Sequence, residues 1–269
     1  MANKNGETIE AAIHLSLQGK GGVGKSLVAS ILTQYFRARG GDVNAVDTDP
    51  VNHTLAQYQQ LDVQCLELLR DGGVDQRGFD VLMERLLTES GTFVVDSGAA
   101  TFIPLWFYML ENNVLDSLRS AGRRLVVHSV VTGGQALADT LSGFNQVAQT
   151  SQDRNVVVWL NEYFGLVKQD GVAFAEMAAY KKNEAKVLGT VTIVKRNHDT
   201  FGRDIEDMIA RKMTFDEALR SGEFSIMAKQ RLKIVRDGLF EQLDALDLGG
   251  PQKRLVAPAL PQGKTALAS

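Results

Sequence analysis

The stretch Gln18-Gly19-Lys20-Gly21-Gly22-Val23-Gly24-Lys25-Ser26 constrains this chain more than any other. Gly19, Gly24, Lys25 and Ser26 fit G-x-x-x-x-G-K-[ST]. In such a loop backbone N–H groups, here from Gly21 through Ser26, cradle phosphate oxygens, the lysine neutralises β/γ charge and the hydroxyl ligates Mg²⁺. The flanks supply the context this motif requires: residues 13–17 read as a strand entering the loop and residues 27–38 as a helix leaving it. Lys20 has no duty in an ordinary phosphate loop, because a side chain there points away from its own loop's phosphates.

Two further carboxylate motifs follow in order. Residues 42–47 read as a second strand ending in Asp47-Thr48-Asp49-Pro50. Carboxylates on alternate residues at a strand tip suit Mg²⁺ and water, since both want hard anionic oxygens. Residues 92–95 form an apolar strand running into Asp96-Ser97-Gly98. That is the pattern in which the carboxylate holds Mg²⁺ through a water and a following glycine N–H meets a γ-phosphate. Strands at 62–68, 124–131, 155–160 and 186–194 alternate with helices at 54–60, 79–87 and 102–118. Further helices are expected at 200–212, 214–220 and 225–246. The expected fold is α/β, a doubly wound and mostly parallel sheet flanked by helices.

Composition narrows the class. The chain has 269 residues, 44% hydrophobic and 23% charged, as an ordinary globular protein with ample core does. One large domain over 11–247 is favoured, with residues 1–10 and 248–269 as flexible ends. A net charge of −3 restricts any nucleic-acid contact to a local patch. No apolar run reaches the roughly 18 residues of a spanning helix, and residues 1–10 lack a signal-peptide core, so a cytoplasmic location is expected. Cys65 is the only cysteine. An intrachain disulfide and a four-thiolate centre within one chain are thereby excluded, as is a cluster shared by two chains that takes two thiolates from each.

Other residues carry weaker signals. Cys65 and His128 read as core residues within strands, and Trp106, Phe107 and Tyr108 as core or interface. Thr132-Gly133-Gly134 falls at the carboxyl edge of a strand, where open sheets place ligands; it equally suits a helix cap followed by a turn. Asn161 ends a strand with an amide able to offer a donor and an acceptor to a purine edge. In the last helix Ala228, Leu232, Val235, Leu239, Leu243 and Leu246 form a core stripe. Beside it lie Lys229, Arg231, Lys233 and Arg236, either a solvated face or a non-specific DNA-binding patch.

Lys20 within the phosphate loop, followed by D-T-D-P and then by Asp96 at a strand end, resembles the deviant Walker A ATPases of plasmid partition and division-site selection. The nitrogenase iron protein shares that machinery, but the single cysteine excludes its function. The resemblance implies a homodimer that sandwiches two Mg·ATP, with Lys20 reaching the partner's nucleotide. It also implies Asp49 orienting the attacking water, Asp47 near the metal's outer shell and Asn161 binding adenine. The chain departs from the family's pattern where Val51-Asn52 follows the proline and where Pro104 comes late after Asp96. From about residue 13 to residue 246 the sequence is similar, more specifically, to the TraL family of plasmid conjugal transfer proteins. LQGKGGVGKS, DTDPVN, VVHSVVTGGQALADTLSGF, VVWLNEYFG and LKIVRDGLFEQLDA carry that likeness. It implies an ATPase, hydrolysing ATP to ADP and phosphate, that serves plasmid transfer or positioning. The alternatives are an ATP-dependent biosynthetic enzyme of the dethiobiotin-synthetase kind and a nucleotide-binding regulator that does not hydrolyse.

Overall fold

The computed structural model describes residues 12–70, 73–151 and 153–249. The expected flexible end at 1–10 and most of the expected tail lie outside them. In chain order the elements begin with β1 Ala12–Leu17, α1 Lys25–Ala38, β2 Val43–Asp47, β3 Gln64–Cys65, β4 Leu69–Arg70 and β5 Gly73–Val74. Next come α2 Gln76–Thr88, β6 Thr92–Asp96, α3 Ala99–Glu111, α4 Val114–Ser120, β7 Arg124–Thr132 and α5 Leu137–Thr150. The chain then runs through β8 Val156–Asn161, β9 Lys168–Gln169, β10 Val172–Ala173 and α6 Ala178–Asn183 to β11 Val187–Ile193. It ends with α7 Arg203–Ala210, α8 Phe215–Arg220 and α9 Ile226–Asp244.

Seven strands form one sheet in the order β11-β8-β7-β1-β6-β2-β3, and every pairing in it is parallel. Helices cover both faces, so the central strands are buried and mostly apolar; all six residues of β1 are buried, His14 and Ser16 among them. One core lies under α2 to α6, around Phe93, Phe102, Trp106 and Phe144. The other lies under α1 and α7 to α9, around Tyr35, Phe36, Trp159 and Leu232. Strand order reverses on either side of β1, so a crevice opens at its carboxyl end. The phosphate loop, Asp47, Asp96 and Asn161 all sit at that edge.

The differences from the sequence reading have physical reasons. Only Gln64–Cys65 of the 62–68 strand joins the sheet, as an edge. Cys65, on that edge strand, is exposed rather than packed. The helix expected at 102–118 starts earlier, at Ala99, and is broken by Asn113, which takes a left-handed φ of 51° and begins α4. Trp106 is buried and donates to Thr150 Oγ1 at 2.7 Å, whereas Phe107 is exposed. The helix expected at 54–60 is two short 3₁₀ turns, Leu55–Gln57 and Gln59–Leu61. Leu246 follows the end of α9 and packs on its core from there. Leu248, assigned by sequence to the tail, is fully buried. At the far end of α9, Asp244 accepts from Arg39 at 3.0 and 2.6 Å and from Tyr35 Oη at 2.9 Å, bracing α9 against α1.

Candidate functional site

The loop from Gln18 to Ser26 turns tightly enough to need glycine at two places. Gly22 has φ 73°. Gly24, the residue capping α1, has φ 104°, and a Cβ there would lie 2.9 Å from Asn161 Nδ2. The helix N-terminus that follows offers unpaired N–H groups and a positive dipole end to an anion. Lys25 is buried, and its Nζ donates to the Lys20 carbonyl at 3.1 Å. Burial pulls its pKa down, opposed by the charges of Asp96 and Asp49.

Asp96 at the tip of β6 is fully buried, and neither of its oxygens has a well-formed hydrogen bond among the described residues. Burial pushes this carboxyl well above the usual range; the nearby Ser26 hydroxyl opposes that shift without making a good bond. Two buried carboxyl oxygens with no hydrogen-bond partner among the described residues, beside a phosphate loop, are a donor set suited to a hard cation. Among the described residues no group of three His, Cys, Asp or Glu side chains could hold a metal alone. This fits Mg²⁺, which takes most of its ligands from water and phosphate.

Asp47 and Asp49 divide differently from the sequence expectation. Asp47 Oδ1 accepts from Asp49 N at 2.9 Å, and Oδ2 from Leu55 N and Ala56 N at 3.0 and 3.1 Å. Its oxygens are thus engaged by backbone amides, through which it organises the 48–56 segment. Burial raises its pKa against those amides. Asp49 is half-buried and lines the cleft. Its Oδ1 accepts from Val51 N at 3.0 Å, and its carboxylate lies where a Gly98 side chain would stand, 2.8 Å from the place of a Cβ. Thr48 ties this strand tip to the Asp96 carbonyl, through N at 2.9 Å and Oγ1 at 2.8 Å.

Asn161 is also redirected. Its Nδ2 donates to Val23 O at 2.9 Å and its Oδ1 accepts from Tyr163 N at 3.2 Å, so the amide braces the phosphate loop. Thr132 does not cap the helix that follows: its Oγ1 donates to Asn161 O at 2.9 Å and its N donates to Thr140 Oγ1 at 3.2 Å. Gly133 and Gly134 make the turn, packed on the 164–166 backbone so closely that a Cβ on Gly133 would lie 2.4 Å from Gly165 O. The sequence reading missed Gln18, which is buried. Its Nε2 donates to Val130 O and Thr140 O at 2.8 and 3.0 Å, and its Oε1 accepts from Gly19 N at 2.9 Å. A polar residue closing an apolar strand, directly before the first glycine, was the available signal.

A cleft of about 680 Å³ opens from the loop, past Asp49 and Asn161, toward Tyr58, Ile205 and Ile209. It has room for a nucleotide. The basic stripe on α9 lies elsewhere and is largely neutralised: Arg231 pairs with Asp204, Lys233 with Asp237, and Arg236 with Asp216 and Asp237. Only Lys229 of the four makes no ion pair among the described residues, so this face is not a free cationic surface. Among those residues no helix is long and apolar enough to cross a membrane.

A strand-end phosphate loop, a buried unpartnered carboxylate beside it and a cleft at the switch point define a P-loop nucleotide-binding protein. The chain belongs to the CobQ/CobB/MinD/ParA nucleotide binding domain family, whose model matches residues 16–222. It is similar to a Protein TraL of Escherichia coli, 46% identical over 236 residues, covering 87% of this chain and 98% of that protein. A second Protein TraL of Escherichia coli is 43% identical over 235 residues, with the same coverage. Among solved structures it resembles the MinD cell division protein of Aquifex aeolicus, with 17% identity and a TM-score of 0.47, covering 91% of this chain and 100% of that one.

Proposed function

We propose that the chain is an ATP-binding, slowly hydrolysing switch that pairs across its nucleotides and acts in plasmid transfer or positioning. One observation carries this reading: two lysines of one loop are disposed oppositely. Lys25 is buried beside Asp96 and Asp49 and serves its own cradle, whereas Lys20 is half-exposed on the rim, outside it. A cation in that position is suited to a phosphate held by a second subunit. The biosynthetic alternative has no observation in its favour.

The roles proposed are those that the resemblance implies and the geometry is compatible with. Gly21 to Ser26 and Lys25 hold the phosphates. Mg²⁺, when bound, would be held by Ser26 and Asp96 and would supply positive charge to the phosphates. Asp49, beside Gly98, orients the water that attacks the γ-phosphate. Lys20 and Lys25 stabilise the charge that develops there. The role in plasmid transfer follows the resemblance to TraL proteins.

Size-exclusion chromatography with ADP, with ATP and with a slowly hydrolysed ATP analogue tests the reading. A dimer is expected with ATP and the analogue but not with ADP, and Lys20→Ala should bind ATP yet remain monomeric. Elution that ignores the nucleotide, or unchanged pairing in Lys20→Ala, rejects it; ATP-dependent pairing without any ADP production leaves a regulator that does not hydrolyse.

A further inference from the structure

Lys20 already has a partner in its own chain. Its Nζ lies 2.8 Å from Asp139 Oδ2, with the two side chains 46% and 58% exposed. Asp139 stands in the first turn of α5, where the helix dipole favours an anion. The same end of α5 grips the loop on the other side of Gly19. Thr140 O accepts from Gln18 Nε2 at 3.0 Å, and Gly143 lacks a side chain where a Cβ would fall 2.0 Å from Gln18 Oε1. The Lys20 carbonyl is held as well, by Lys25 Nζ at 3.1 Å. Loop backbone and pivot are therefore fixed, and the Lys20 side chain is the part left to move.

We propose that Asp139 is the resting-state holder of Lys20 and sets the threshold for pairing. This rests on the paired-subunit reading above. To reach a phosphate oxygen in a second copy, each ammonium must leave its Asp139. The bridge is lost once per subunit, so its strength enters the dimer equilibrium twice. Asp139 is a positioning residue: it acts on Lys20 and has no place in the phosphate cradle. Exposed bridges are individually weak, so two of them shift the dimer dissociation constant by about five- to tenfold.

The test uses the full chain with a slowly hydrolysed ATP analogue, measuring dimer fraction against protein concentration by sedimentation. Asp139→Asn is expected to lower the dimer dissociation constant about five- to tenfold, and Asp139→Glu, which can keep the bridge, to stay within about twofold of the parent. A second readout needs no pairing: in nucleotide-free monomer, acylation of Lys20 by a small amine-reactive ester should quicken about two- to fivefold in Asp139→Asn. Parent-like or weaker pairing in Asp139→Asn, equal gains in Asp139→Asn and Asp139→Glu, or an unchanged acylation rate each overturns the holder while leaving the paired-subunit reading intact. Absence of pairing in all three chains overturns that reading, and the holder with it.

Discussion

A methyl group on Gly98 would stand 2.8 Å from the Asp49 carboxylate; the bare glycine is what lets that side chain approach the tip of β6. Gly98→Ala is therefore expected to retain ATP binding and slow phosphate release about tenfold by turning Asp49 aside, which steady-state kinetics beside a nucleotide-induced melting shift will separate. The grouping of the loop glycines, Lys25 and Asp96 at one sheet edge was legible, because motif spacing places each at the carboxyl end of a strand. The backbone partners of Asp47 and Asn161 were not legible, because sequence shows a side chain's capacity and not which backbone groups reach it. The buried histidines show the same limit. Trp159 Nε1 donates to His128 Nδ1 at 2.9 Å, so the His128 proton is on Nε2 and points to His14 Nδ1 at 2.9 Å. Burial lowers the pKa of His128 to about 3 and that of His14 well below its ordinary value. Both are neutral when folded and take protons when unfolded. The stability they give is full above about pH 6.5 and falls as pH drops toward the folded value of His128, by about 1.4 kcal/mol per unit for each. In urea unfolding between pH 7 and 5 the parent should lose stability relative to His128→Gln, which keeps an acceptor and a donor, by about 1.4 kcal/mol per unit below pH 6.5.

At the scale of elements, long periodic segments were readable and short ones were not. The stripe Ala228, Leu232, Val235, Leu239 and Leu243 is buried as its spacing requires. Leu232 lies fully buried on α9, and Leu232→Ala should cost about 2–5 kcal/mol in denaturant unfolding, with less if α9 can settle into the void. The pairing of the charges beside that stripe was only partly readable: Asp237 lies on α9 itself, whereas Asp204 and Asp216 come from α7 and α8. The break between α3 and α4 was hidden for a related reason: apolar spacing continues through it, and only the left-handed turn at Asn113 separates the two axes. The 3₁₀ turns after β2 are held by Asp47 from outside the segment, so their own residues carry little signal.

For the molecule as a whole, strand–loop–helix order and repeated apolar strands sufficed for a doubly wound sheet, because parallel strands buried on both faces leave few topologies. The order of strands around β1 and the rim on which Lys20 meets α5 depend on long-range packing and could not be read. One feature of that packing reaches furthest. Gln18 joins Thr140, Thr140 joins Thr132, Thr132 joins Asn161, and Asn161 returns to Val23. The phosphate loop is thus a stitch in a closed seam that also takes up β7, β8 and α5. Backbone amide exchange in the nucleotide-free protein should be fast across residues 21–25, where the seam holds carbonyls and leaves the N–H groups open to an anion, and nucleotide should slow it. Such a loop is an anvil: whatever motion ATP drives in this protein has to be made by the parts that strike against it.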